Sequence, residues 1–290
     1  MDRFLFLTLD GLARGAVYAA FGLALVLIWR GTRVVNFAQG VLGVASVYVA
    51  YTVTGATGSY WWGLSAALVS GLVLGAVVER LVMRRVTRAG PLDAVIAALG
   101  LILAIQAVLG MIYGNDFLPV ETPFARTALR VGGADIVSPY DLFVLGAVLV
   151  VMLLLAYLFN RTKTGLRMRA AAFAPDVART LGVRVGLMLT VGWGLAAAVG
   201  SLAGLLATPP FLFPNVLDGV FVYALTAAVL GGLDNPLGTI AGGFVLGVGL
   251  SYVSGYFGPE TVTIAALAIL VIVLTLRPAG LFGRAKARRV

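Results

Sequence analysis

Apolar positions along this chain come in long unbroken runs rather than in alternating or striped patterns. Nine such runs stand out, at about 5–29, 37–57, 61–83, 92–113, 139–160, 186–207, 217–233, 237–257 and 260–276. Most are close to the roughly 20 residues that a helix needs to cross a bilayer. Short polar connections separate them. The pattern predicts an all-α, polytopic helical membrane protein of eight or nine transmembrane segments, forming one transmembrane domain over 1–290. Segment 217–233 is short and is followed by Asp234-Asn235-Pro236, so a broken or re-entrant helix near residues 217-240 is the alternative to a ninth full span. Asp10 and Arg14 interrupt the first run, and Met1-Asp2-Arg3 is a poor basic leader, so the run reads as a span and not as a cleavable signal.

Composition sharpens this. The chain is 61% apolar and 11% charged, against about 45–50% and about 25% in soluble domains. That excludes a soluble enzyme, a disordered protein and a secreted disulfide scaffold. There is no cysteine and no histidine. Disulfides, iron–sulfur clusters, thiol nucleophiles, the usual zinc sites, haem ligation and an imidazole base are therefore ruled out. No catalytic residue and no metal site are expected. The net charge of +9 is explained by basic residues in the connections, as in the positive-inside bias, and not by nucleic-acid binding. Arg80, Arg84, Arg85 and Arg88 form one cluster. Arg161, Lys163, Arg167, Arg169, Arg179 and Arg184 form a second, and Arg277, Arg284, Lys286, Arg288 and Arg289 a third. Counting spans puts all three on one face, predicting an N-out/C-in chain with that face cytoplasmic.

The longest outer connection, 114–138, is read as an extracytoplasmic loop. Ala125–Val131 and Ala134–Val137 flank Gly132-Gly133 and suit a small hairpin, with an irregular loop as the alternative. The longest inner connection, 161–185, is more informative. Pro175 suits the first turn of a helix, Asp176 its positive end and Gly182 its stop. Phe173, Val177 and Leu181 recur every four residues and share a face, while Arg179 points elsewhere. A basic amphipathic stretch of this kind either lies on anionic membrane lipid or docks its apolar ridge into a partner's groove. Val17-Tyr18-Ala19-Ala20 echoes Val222-Tyr223-Ala224-Leu225, a match too short to establish a repeat.

The residues also carry a resemblance. Asn36-Phe37-Ala38-Gln39-Gly40 resembles the Asn-Phe-Ala-His-Gly signature of branched-chain amino acid ABC transporter permeases. Arg80–Arg88 with Pro91-Leu92, Gly165–Ala172 with Ala178–Val183, Ala227–Gly232 with Pro236-Leu237-Gly238, and Arg277–Gly283 resemble further motifs of that family, in one order over residues 10–283. The resemblance implies a permease subunit of a bacterial cytoplasmic (inner) membrane importer that contains no ATP site. Only Lys163 and Lys286 exist, and neither follows a Gly-x-x-x-x-Gly. Two cytoplasmic ATP-binding subunits that use ATP and Mg, a second, related permease chain, and an extracytoplasmic substrate-binding protein are the implied partners; this chain would bind no cofactor itself. Segment 161–185 then becomes the expected coupling loop, with Phe173, Val177 and Leu181 as packing ridge, Asp176 and Arg179 as polar contacts, and Gly182 closing the helix.

Polar residues within or beside the spans are the remaining candidates. Asp10 and Arg14, four apart, suit a pair on one helix face, read as an anchor, an interface pair or a substrate contact. Tyr18, Asn36, Gln39, Thr226 and Asn235 are candidates for the translocation pathway. Tyr18 alternatively packs, and Asn36 with Gln39 alternatively caps the second span in the manner of a capping box. Gln39 replaces the family's histidine, which removes a proton-linked role at that position. The glycines from Gly231 to Gly249 suit close helix packing or a broken helix lining a pathway. Asp218, near the outer end of its span, is read as facing a gate or the binding protein, or as an interfacial cap. The resulting expectation is an importer permease for amino acids, branched-chain ones first, with urea, short amides or another small polar solute as same-family alternatives. The rival class is a stand-alone ion-coupled secondary transporter, disfavoured by the scarcity of acidic residues within the spans.

Overall fold

The computed structural model describes residues 2–87, 90–131, 134, 135, 137–208 and 210–283. Arg88, Gly132-Gly133, Arg284, Lys286, Arg288 and Arg289, which figure in the sequence reading, lie outside the described residues. The chain begins with α1 (Asp2–Thr32), α2 (Gln39–Thr57) and α3 (Tyr60–Val78). A π turn, Glu79–Met83, continues α3 into the short α4 (Arg84–Val86), and α5 (Pro91–Tyr113) follows. Three two-residue strands, β1 (Leu118–Pro119), β2 (Arg130–Val131) and β3 (Ala134–Asp135), lead to α6 (Pro139–Arg161). Then come α7 (Lys163–Phe173), α8 (Pro175–Thr180), α9 (Val185–Ala207), β4 (Phe211–Leu212), α10 (Asp218–Gly231) and α11 (Pro236–Phe257). A 3₁₀ turn, Pro259–Thr261, precedes α12 (Val262–Leu276).

Among the described residues eight helical stretches are long and apolar enough to cross a membrane, the last running from Pro259 through α12. α10 is the exception: its 14 residues rise about 21 Å at 1.5 Å per residue, short of the roughly 30 Å hydrocarbon core. The chain reaches it in irregular backbone, with β4 paired antiparallel to β1 so that Leu212 lies opposite Leu118. The irregularity anticipated near 217–240 thus lies before α10. Asp234-Asn235-Pro236 instead forms a turn between two helices, with Gly232 at φ +96° and Pro236 in the first turn of α11. β2 and β3 pair antiparallel, Val131 opposite Ala134, and Leu129 N–H donates to Val137 O at 3.0 Å, giving the hairpin form of the 114–138 connection.

The arginine-rich stretches gather at one end of the bundle. There Arg33 at the close of α1 pairs with Asp234. Arg84 donates to Gly186 O in the first turn of α9, and Leu281 N–H donates to Leu230 O at the close of α10. At the other end Arg3 donates to Gly255 O.

α1 runs through the middle, packed on α6, α9, α10 and α11. Its closest neighbour is α11, and glycines set the distance. A Cβ on Gly243 would stand 2.6 Å from Ala19 Cα, and one on Gly11 would stand 2.6 Å from Val248 Cα. Close approach of this kind drives helix association in lipid, where apolar side chains gain nothing by leaving the tails. α3 and α9 cross in the same way, with a Cβ on Gly75 reaching 2.5 Å from Ala197 Cβ. The glycine-rich stretch therefore packs helices together, while Gly249 faces open space. α5, α6 and α12 are the least buried spans.

Candidate functional site

The inner connection folds as two helices meeting at an elbow. Thr162 caps α7, its hydroxyl accepting the Gly165 N–H at 3.0 Å. α7 stops at Phe173, and Ala174 carries a non-helical backbone with φ −143° and ψ 76°. Pro175 restarts the chain as α8, which suits a residue that has no N–H to satisfy in the first turn. Gly182 at φ +80° ends it, with Val183 N–H returned to Ala178 O at 2.9 Å. Phe173 therefore lies on a different helix from Val177, and Leu181 just past the second. One continuous helical face is not formed, because the elbow intervenes. All three are nevertheless exposed, Phe173 at 94%, Val177 at 58% and Leu181 at 77%. Ala171 and Ala178, with Val185 and Met188 of α9, bury the opposite side. Arg179 donates to Asp176 at 2.7 Å, an exposed pair beside the apolar residues.

Asn36 and Gln39 are fully buried at the start of α2. Asn36 Nδ2 donates to Gln39 Oε1 at 3.1 Å, Asn36 Oδ1 accepts Ala38 N–H at 3.1 Å, and Gln39 Nε2 donates to Ala196 O at 3.0 Å. The helix begins at Gln39 with Ala38 as its cap residue and no side-chain cap bond. The capping-box geometry is thus replaced by a brace between helices, for the two amides bond each other and α9 rather than the exposed amides of α2.

Thr226 is buried, donating to Val222 O at 2.8 Å and lying 3.5 Å from Ala266 O of α12. Asn235 caps α11 through Gly238 N–H at 3.1 Å, and its Nδ2 donates to Phe282 O at 3.0 Å. Tyr18 is buried edge-on to Tyr223, ring centroids 5.4 Å apart. Both border a cleft of about 630 Å³ at the end away from the arginine clusters, which Asp10, Arg14, Arg126 and Asp141 also line. Arg14 Nε meets both Asp10 carboxylate oxygens at 3.0 and 2.8 Å, the helix-face pair that the spacing predicts, and Ser251 Oγ adds a bond of 2.9 Å. Asp218, at the start of α10, lies 3.5 Å from Gln106 Nε2 of α5. The structure therefore brings Asn36 to Gln39 and Tyr18 to the Asp10–Arg14 cleft. Asn235 and Thr226 stand apart from both. Among the described residues no group of three or more acidic side chains is placed to hold a metal ion.

One polar centre escaped the sequence reading. Glu79, 3% exposed, accepts from Arg84 Nε at 2.9 Å and Nη2 at 2.7 Å, and from Thr190 Oγ1 at 2.7 Å. Glu79 and Arg84 are five apart, a spacing at which α-helical side chains do not meet. The π turn is what brings them together. The signal present in the sequence was an acidic residue, Glu79, beside Arg80 near the end of a long apolar run.

The model of the family described as branched-chain amino acid transport system, permease component, matches residues 7–276. The chain belongs to that family. Among its relatives is the Escherichia coli high-affinity branched-chain amino acid transport system permease protein LivH, 25% identical over 298 residues that cover 97% of this chain and 96% of the relative. The E. coli ribose import permease protein RbsC is 27% identical over 272 residues, covering 88% of this chain and 80% of that one. Among solved structures, PsaBC from Streptococcus pneumoniae in complex with Fab aligns over 96% of this chain and 93% of that one, with a TM-score of 0.53 at 13% identity. That likeness is one of fold. This member of the permease family is therefore a multi-pass membrane transport component.

Proposed function

We propose that the chain is the transmembrane permease subunit of an ATP-driven ABC importer that moves amino acids, branched-chain ones in particular, across a bacterial cytoplasmic membrane. The exposed apolar elbow at the arginine-rich end supports this reading most directly. Phe173, Val177 and Leu181 stand clear of their own chain, beside a polar pair suited to a protein contact, in a permease family whose members need an external energy source. In this reading the arginine-rich end is cytoplasmic, with the N-terminus outside and the C-terminus inside. Segment 161–185 docks onto two ATP-binding subunits, which use ATP and Mg, while this chain binds no cofactor. A second permease chain completes the pathway. The hairpin loop 114–138 and the Asp10–Arg14 cleft face an extracytoplasmic binding protein that supplies affinity. Tyr18, Asn36, Gln39, Thr226 and Asn235 shape the pathway by fixing helix crossings and ends around it.

The similarity to a ribose import permease supports a second substrate class, another small polar solute carried by the same machinery. The deciding experiment is an affinity pull-down from native membranes with mass spectrometry, alongside Val177→Asp. Recovery of an ATPase and a second permease, weakened in the variant, is the expected result. A chain that comes down alone and transports alone in vesicles overturns the proposal. Ligand screening of the co-purified binding protein then separates branched-chain amino acids from other solutes.

A further inference from the structure

Charge inside a membrane bundle is expensive and calls for a specific use. Glu79 is buried at the close of α3, and its partner Arg84 also donates to Gly186 O at 2.6 Å and Thr190 Oγ1 at 2.6 Å in the first turns of α9. In an α-helix residues five apart lie about 140° round the axis. The pair forms because the backbone between them is π-helical, with Arg84 N–H bonded to Glu79 O, and such turns concentrate at functional positions. The π turn, the pair and Thr190 make a polar cross-link between the end of α3 and the start of α9.

That cross-link is not needed merely to hold α3 against α9. Gly71 and Gly75 already bring the two helices into contact at Ala197 and Ser201, and a buried ion pair is often replaceable by apolar residues without loss of stability. Its position is more telling. α9 starts three residues after Gly182, where the elbow ends. Beside the pair is a cavity of about 380 Å³ that Arg179 of α8 also lines, together with Trp193. Space of that size leaves α8 room to move against a fixed polar anchor.

We infer that Glu79 and Arg84 are positioning residues that tie the coupling elbow to the α3–α9 pair, so that displacement of α8 passes into the spans instead of being absorbed in the connection. The inference rests on the elbow being the ATPase contact.

The test compares wild type, Glu79→Gln, and the apolar double variant Glu79→Leu with Arg84→Met, each in the full assembly in proteoliposomes, with leucine as solute. Leucine uptake and ATP hydrolysis are measured together. In both variants the assembly keeps its ATPase, while solute moved per ATP hydrolysed falls by about fivefold or more, the lower edge of couplings between sites. An unchanged ratio overturns the inference, whether total activity is full or reduced, as does loss of the ATPase from both variants, which marks a purely structural role. Val177→Asp separates the two levels. If it releases the ATPase while the charge variants keep their ratio, the elbow stands and only this inference fails. A wild-type assembly that carries no ATPase, or moves no leucine as it hydrolyses ATP, removes both.

Discussion

Gln39 Nε2 donates to the carbonyl of Ala196 at 3.0 Å, joining the first residue of α2 to the middle of α9. Gly200, one turn on, leaves room for the amide, since a Cβ there would collide with Gln39 Nε2. Gln39→Leu strands the buried Asn36 amide without its acceptor. The expected cost is about 1–3 kcal/mol, seen as a lower apparent Tm of the purified chain in detergent. Gly200→Val should lower it further by forcing the two helices apart. An unaltered Tm in Gln39→Leu would show that the brace adds nothing.

The glycines make a graded prediction. Gly243→Val places a branched side chain where even a Cβ meets Ala19 Cα at 2.6 Å, and overpacking of this sort costs about 1–3 kcal/mol or more. Gly249→Ala, on the same helix with nothing within 4 Å, should be neutral or gain up to about 1 kcal/mol from helix propensity. Size-exclusion profiles after a heating series distinguish them: the first loses its monodisperse peak early and the second does not.

Asn235 holds the start of α11 and the Arg277–Gly283 stretch with one side chain. Asn235→Ala should cost about 0.5–2 kcal/mol through the lost cap. Amide hydrogen exchange should accelerate at both Gly238 and Leu281. Asp234→Asn breaks only the exposed pair with Arg33, and such pairs contribute about 1 kcal/mol or less. Equal exchange in the two variants would contradict this division of labour.

Phe173→Ser and Leu181→Ser alter side chains that touch little of their own chain. Their effect on stability should stay within about 0.5 kcal/mol, while recovery of the ATPase in a pull-down falls. Ala178→Asp, on the buried side of α8, should lower Tm as well. Parallel losses in all three would mean that the ridge packs internally in the membrane.

Most of the helices were legible because a span advertises itself twice, by apolar length and by the polar residues that stop it. The runs 92–113, 139–160, 186–207 and 237–257 meet α5, α6, α9 and α11 within a residue or so. α1 extends past its run at both ends, with Arg30 in its last turn, where a cation suits the helix dipole. The elbow was half visible. Pro175 and Gly182 marked α8, but the spacing of Phe173, Val177 and Leu181 fits an uninterrupted helix, and only the backbone at Ala174 shows the break. The π turn left no trace in periodicity, since a single extra residue per turn is invisible in an apolar stretch. The Asn36–Gln39 brace was hidden for another reason: the acceptor is a backbone carbonyl 157 positions away.

The short α10 packs against α1, α2, α11 and α12, and its second half, Ala224 and Thr226–Gly231, is buried among them. The thickness that this protein demands of a bilayer is set by α5 and α6, each 23 residues and about 34 Å long, slightly more than a typical hydrocarbon core. Such helices accommodate mismatch by tilting. α6 is joined to α7 through Thr162 alone, so a change in its tilt is passed directly to the elbow. Under the proposed function, acyl-chain length would thereby become a mechanical input to the elbow, acting through the helix that leads into it.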